Sequence, residues 1–153
     1  YPLPEAQVDR FMARVSLGYP TPRAEVEMLR NHESGDRTES IAAVGGPADL
    51  LAAQDAARRV HTSDALRTYV VSLLRATRED PRSELGASPR SGLMLLRAAK
   101  ARALLLGRDH ALPDDVQALA ELVLSHRVVP APEALDATGT LIVRDALAAT
   151  VAL

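Results

Sequence analysis

The sequence predicts an all-α protein, a helical bundle preceded by a short helix–strand piece. Three observations carry this. Aromatic residues make up only 3% of the 153 residues while apolar residues make up 47%, so the core has to be assembled from Leu, Val and Ala. Those side chains suit helices better than a β-sandwich. Several long segments repeat their apolar residues with the helical period. A single segment alternates with the period of a strand, and nothing else in the chain offers it a sheet.

Taken in order, residues 4–11 open with Pro4, which a first helical turn tolerates, and read as a short helix. In "FMARVSLGYP", Phe11, Ala13, Val15 and Leu17 alternate with Met12, Arg14 and Ser16, the two-residue period of a strand. With no partner in the chain, this strand reads as one cut from a larger sheet. Thr21 and Pro22 supply a cap and a first helical position. Val26 and Leu29 then mark an apolar face running to about His32. "NHESGDRTES", residues 31–40, is polar and aperiodic and reads as a loop. Gly45, Gly46 and Pro47 punctuate the start of a helix that continues to about Arg59.

Leu66, Tyr69, Val70, Leu73 and Leu74 fall at i, i+3, i+4, i+7 and i+8, the stripe of an amphipathic helix. "DPRSELGAS", residues 80–88, ends it. Ser88 and Pro89 cap and open the next helix, which is apolar on most of its circumference. That pattern predicts a central place in the bundle, and Gly107 stops the helix. In "LPDDVQALAELVLSHR", Pro113 opens a helix, and Asp114 and Asp115 place negative charge at its positive end. Val116, Leu119, Ala120, Leu122, Val123 and His126 follow on one side. The Pro-rich stretch 129–139 reads as a connector, and a last apolar helix starts at about Thr140.

Composition excludes several kinds of chemistry. There are no cysteines, which rules out disulfides, thiol catalysis and Cys-ligated zinc. The net charge of -2 offers no broad basic surface to nucleic acid. No apolar run reaches the roughly 18 residues of a membrane span, and no basic, apolar leader opens the chain. A reducing compartment is compatible with the lack of cysteine, and the expected location is the cytoplasm. The opening residue, Tyr1, suggests a piece of a longer polypeptide.

Motifs for independent catalysis are missing. No G-x-x-x-x-G-K-[ST] loop cradles a triphosphate, and "AVGGPADL" has paired glycines without a following Lys. His32, His61, His110 and His126 lie far apart without metal-ligand spacing, so no metal site is expected. Two arginines stand out. Arg90 lies in the first turn of its helix, where the dipole is already positive and a cation is mildly unfavourable. The placement makes sense if an anion such as phosphate arrives there. The alternative is a pairing with Glu84 or Asp80. Arg10 has the same two readings: a surface pair with Glu5 or Asp9, worth little, or a guanidinium aimed at a phosphate outside the chain.

"YPLPEAQVDRF" followed by "RVSLGYP" resembles the MoxR family of AAA+ ATPases. "GASPRSGLMLLRAAKARALLLGRDHALPDDVQALAELVLSHRV" resembles the helical lid of the same family. The two stretches stand in family order and cover most of residues 1–130. The resemblance implies that residues 1–20 close the α/β core, that 21–130 form the lid, and that 131–153 are a connector and a helix packed on it. It implies that Arg10 of "DRF" is an arginine finger acting on the γ-phosphate of an adjacent subunit, with Asp9 supporting it at that interface. Arg90 of "GASPR" corresponds to the sensor-2 arginine that contacts nucleotide phosphates, within its own subunit or across the boundary.

The implied cofactors are ATP and Mg²⁺ in the full-length parent, with none bound by this portion alone. The implied partners are identical subunits in a hexameric ring, a von Willebrand A-domain protein and client proteins matured in a chaperone-like way, including by metal-cofactor insertion. Two other readings compete. One is a non-enzymatic helical interaction module that binds a partner helix. The other is a nucleic-acid-binding bundle using Arg58, Arg59, Arg67, Arg97 and Lys100.

Overall fold

The computed structural model describes residues 3–33 and 41–152. In chain order the elements are α1 (Glu5–Val8), α2 (Pro22–Glu33), α3 (Pro47–Arg59), α4 (Asp64–Glu79), β1 (Ser83–Leu85), α5 (Pro89–Leu105), α6 (Pro113–Leu124), β2 (Val129–Pro130) and α7 (Gly139–Ala149). The chain divides into two compact units. One joins the segment ending at Arg14 to everything from Ala53 onward, and the other is Val15–Ala52.

The larger unit is a four-helix bundle. α5 packs on α4 and α6, and α7 closes the bundle against both α4 and α6. Leu66, Tyr69, Val70, Leu73 and Leu74 of α4 are buried, as the stripe in the sequence requires. Leu95 of α5, Val116, Val123 and Leu124 of α6, and Ile142 and Val143 of α7 complete the core. The side chains of Ser63 and Thr138 accept from the backbone N–H groups of Leu66 and Leu141, starting α4 and α7. Gly107 sits at φ +73°, the left-handed conformation that ends α5 without a Cβ penalty.

α5 corrects its sequence reading. Its buried residues are small apart from Leu95, namely Ser91, Gly92, Ala99 and Ala103. Leu93 and Leu105 are 62% and 86% exposed. The helix buries one face closely through small residues and is not enclosed on all sides.

α6 starts on a buried ion cluster. Asp115 is fully buried, and its carboxylate accepts from the Leu112 backbone N–H at 2.9 Å. Arg108 donates to its two oxygens at 2.6 and 2.8 Å, and Arg102 of α5 donates to one of them. Burial works to raise the Asp115 pKa, but the Arg108, Leu112 and Arg102 hydrogen bonds prevail and hold it at about 2.

Two features differ from expectation. Among the described residues, 11–21 form neither helix nor strand apart from the cap of α2. The alternation at Phe11–Leu17 creates no strand, because a strand needs a hydrogen-bonded neighbour and the chain supplies none. The backbone N–H of Arg14 instead donates to the Leu122 carbonyl at 2.9 Å. Conversely, β1 and β2 pair antiparallel across the regions expected to be a break and a connector, with Ser83 opposite Pro130 and Leu85 opposite Val129.

In the Val15–Ala52 unit, Thr21 caps α2 by accepting from the Ala24 N–H at 3.3 Å. Asp49 folds back onto the Gly46 N–H at 2.7 Å at the start of α3. Residues 31–33 belong to α2, and the remainder of the expected 31–40 loop lies outside the described residues.

Candidate functional site

The candidate site forms where α1 meets the beginning of α5. The loop before α5 is fixed from α4. The hydroxyl of Thr77, fully buried, accepts from the Ala87 N–H at 3.0 Å and donates to the Leu74 carbonyl at 2.8 Å. Arg78 Nε donates to the Ala87 carbonyl at 2.6 Å. A Cβ on Gly86 would lie 2.5 Å from the Arg78 Cα, so only glycine lets the loop lie this close to α4. Both polar groups of Ala87 are thereby satisfied, and the next residue, Ser88, is placed as the N-cap.

Ser88 has two tasks. Its Oγ accepts from the Ser91 N–H at 3.3 Å, which starts α5, and donates to Asp9 Oδ1 at 2.9 Å. Its hydroxyl hydrogen is then used, so in the 3.1 Å contact between the two serine hydroxyls Ser91 is the donor. Asp9 lies just past α1 and is half-buried. Arg127 faces the same carboxylate, its Nε 3.7 Å from Asp9 Oδ1.

Arg127 follows the end of α6 and is only 5% exposed. Its Nη2 donates to the Phe11 carbonyl and rests against the Met94 sulfur, while among the described residues Nε and Nη1 have no hydrogen-bond partner. Burial lowers its pKa from the ordinary arginine value, Asp9 opposes that, and the Arg90 charge adds to it. His126 Nε2 donates to the same Phe11 carbonyl at 3.2 Å. Burial lowers the pKa of this imidazole, against the pull of the carbonyl. These groups line a cleft of about 440 Å³ with Val8, Leu85 and Gly86.

The structure therefore brings the three predicted site residues to one place. Asp9 is bonded to the N-cap two residues before Arg90, and Arg10 is its immediate neighbour. Arg10 and Arg90 are both exposed, and among the described residues neither side chain makes a hydrogen bond or ion pair. Asp80 is taken by Arg82, which also reaches Asp145, so it does not neutralise Arg90. Asp9 is engaged by Ser88 and Arg127 rather than by Arg10, and the Glu5 side chain lies outside the described residues.

Thr77, Arg78, Ser88, His126 and Arg127 all serve this site, and sequence reasoning assigned them no such role. No local signal marked them: Arg127 follows the polar Ser125 and His126 in sequence, and its burial comes from the packed bundle. Of the basic residues considered for nucleic acid, Arg58 pairs with Asp55 and Arg67 with Asp64. Among the described residues no group of three or more His, Asp or Glu is disposed to hold a metal ion.

Residues 75–146 match the AAA lid domain family. The chain is 40% identical over 134 residues to the uncharacterized protein YeaC of Bacillus subtilis, covering 88% of this chain and 42% of that protein. It is 39% identical over 164 residues to Chaperone MoxR1 of Mycobacterium tuberculosis, covering all of this chain and 43% of that protein. Protein MoxR of Paracoccus denitrificans is 33% identical over 153 residues, with 86% and 44% covered. A crystal structure from Cytophaga hutchinsonii, provisionally described as that of an ATPase, superposes with a TM-score of 0.86 at 31% identity, covering 99% of this chain and 49% of that one.

The fold and the matched family model define the class as the helical lid region of an AAA+ protein. Within that class the chain belongs to the MoxR family of AAA+ ATPases. It spans less than half the length of the curated relatives it matches.

Proposed function

We propose that this chain is the lid portion of an ATP-hydrolysing MoxR-type machine. In this reading residues 1–20 close the α/β core, 21–130 are the lid, and 131–153 are a connector and a helix on it. Arg10 is the arginine finger reaching a neighbouring subunit's nucleotide, with Asp9 supporting it, and Arg90 is the sensor-2 arginine. The observation that carries the reading is the Ser88–Asp9 hydrogen bond at 2.9 Å. It joins the two arginine-bearing segments while both guanidinium groups stay exposed and unpaired among the described residues.

The residues suit phosphate. Arg90 lies at the positive end of a helix whose first residue, Pro89, has no N–H, and no intramolecular carboxylate neutralises it among the described residues. Mg²⁺-ATP, when bound, supplies the phosphoryl group that is transferred to water. Phosphoryl transfer asks the protein for positioning and for positive charge at the equatorial oxygens. Arg10 supplies that charge from outside the nucleotide's own subunit, and Arg90 draws the lid onto the phosphates. The Asp9–Ser88 bond supports a reading in which both arginines act on one nucleotide, sensor 2 reaching it across the boundary together with the finger.

The parent would assemble as a ring, hexameric by family resemblance, act in the cytoplasm and remodel client proteins. A von Willebrand A-domain protein as partner and metal-cofactor insertion as one outcome belong to the same proposal. In the full-length protein, Arg10→Ala lowers ATP turnover by roughly 10³-fold or more, the scale of arginine fingers elsewhere. Arg90→Ala also lowers it, and both variants keep their helical circular dichroism. Mixing Arg10→Ala subunits with subunits that lack the phosphate-binding loop but keep Arg10 restores part of the activity. Unchanged turnover in both single variants rejects the assignment.

A further inference from the structure

We propose that Arg127, assisted by His126, is a positioning residue that aims Arg10 by gripping the chain on either side of it. The proposal rests on the reading of Arg10 as the finger. Asp9 precedes Arg10, and its carboxylate is held by the Ser88 hydroxyl at 2.9 Å and faced by Arg127 Nε at 3.7 Å. Phe11 follows Arg10, and its carbonyl receives Arg127 Nη2 and, at 3.2 Å, His126 Nε2. The residues before and after Arg10 are thus both held by the dipeptide after α6, and the Arg10 side chain projects from between them into solvent.

α1 is a single turn of four residues, too short to hold a direction unaided. A finger works only when its guanidinium arrives in place, and a misplacement of about 1 Å can cost roughly 10²-fold in rate. The grip supplies that restraint from the bundle.

A purely structural role does not account for Arg127. It is 5% exposed, and among the described residues two of its nitrogens have no hydrogen-bond partner. A buried guanidinium left partly unbonded is costly, and an apolar side chain of similar volume at such a place is often neutral or stabilising. What an apolar side chain cannot do is reach Asp9 and the Phe11 carbonyl together. Arg127 also follows the helix that shares the core with α5, so the restraint on Arg10 and the placement of Arg90 come from one packed body.

The decisive variant is Arg127→Met in the full-length protein. It lowers kcat by roughly 10²-fold, leaves the KM for ATP unchanged, and leaves the melting temperature at or above that of the parent. Combined with Arg10→Ala it produces no loss beyond Arg10→Ala alone, because both remove the same act. A second readout needs no turnover. The chain contains one phenylalanine, so 4-fluorophenylalanine labels Phe11 alone in the 153-residue chain. Arg127→Met moves that ¹⁹F resonance toward its position in the urea-unfolded chain while the helical circular dichroism stays constant. Should Arg127→Met not fold, Asp9→Asn tests the same grip from its half-buried side, with the same ¹⁹F displacement expected. Wild-type turnover in Arg127→Met, a double variant falling well below Arg10→Ala, or an unmoved resonance overturns the proposal while leaving the finger in place. An Arg10→Ala protein with full turnover overturns the finger itself.

Discussion

Two clusters of buried charge sit at opposite ends of the α5–α6 pair, and they are built on opposite terms. At the end of α5 and the start of α6, Asp115 is fully buried and surrounded by donors, with Arg108, Arg102 and the Leu112 N–H all directed at its two oxygens. At the start of α5, Arg127 is buried with Nε and Nη1 without a hydrogen bond among the described residues, and two cations unpaired among those residues, Arg10 and Arg90, stand exposed beside it. The first cluster is closed and its electrostatic demands are met inside the chain. The second has a surplus of positive charge, the condition expected of a place that receives an anion. Charge that a fold satisfies contributes to stability, and charge that it leaves unsatisfied points to a use elsewhere.

The difference can be tested by perturbing each end. The largest effect on stability belongs to the closed cluster. Asp115→Ala leaves two guanidinium groups without their shared carboxylate, and breaking a buried pair costs about 3 kcal/mol, the low end of the usual range because both arginines are partly exposed. A shift in the urea midpoint of the chain at constant slope measures it. A loss well below 1 kcal/mol would put Asp115 on the same footing as the open end.

Acid gives a smaller, graded version. The Asp115 pKa is held at about 2 against 3.8 for an unperturbed carboxyl, so in that interval the unfolded chain binds more protons and stability rises with pH. Its contribution is complete above about pH 4 and is lost as pH falls toward 2. Asp115→Asn flattens this part of the pH profile of the urea midpoint.

Smaller still is Arg144→Ala, which removes an exposed pair with Glu121 at 2.7 Å and changes stability by about 0–1 kcal/mol, less at high salt. Smallest is Arg90→Ala, which stays within about 0.5 kcal/mol of the parent in denaturation although it sits in the proposed nucleotide site. A marked destabilisation there would show that Arg90 has a structural partner and would undo the contrast.

The sequence made the helices legible because helix signals are local. Thr21–Pro22, Ser88–Pro89 and Pro113 each mark a start within one residue of where the helix begins. The alternation at Phe11–Leu17, read as a strand cut from a larger sheet, forms no strand in this chain, because alternation shows a capacity to pair and pairing depends on a neighbour. β1 and β2 were missed since two or three residues are too few to carry a period. Arg10 and Arg90 were legible as odd placements, but their common location was not. Ser88 and Asp9 are 79 residues apart in sequence, and no spacing rule joins them. The gripping residues were hidden for the same reason, since burial of Arg127 is set by the packed bundle.

The hydroxyl of Ser88 narrows what evolution can place there. Helices commonly begin with Ser, Thr, Asn or Asp, and at most sites these are near substitutes. Here one oxygen atom must take a hydrogen from the Ser91 amide and give one to the Asp9 carboxylate. A carboxylate can only receive, and it would confront Asp9 with like charge. An amide divides giving and receiving between two atoms. The vocabulary at this position shrinks to the two alcohols, and Ser88→Asp is a helix start that keeps its hold on α5 while letting go of α1.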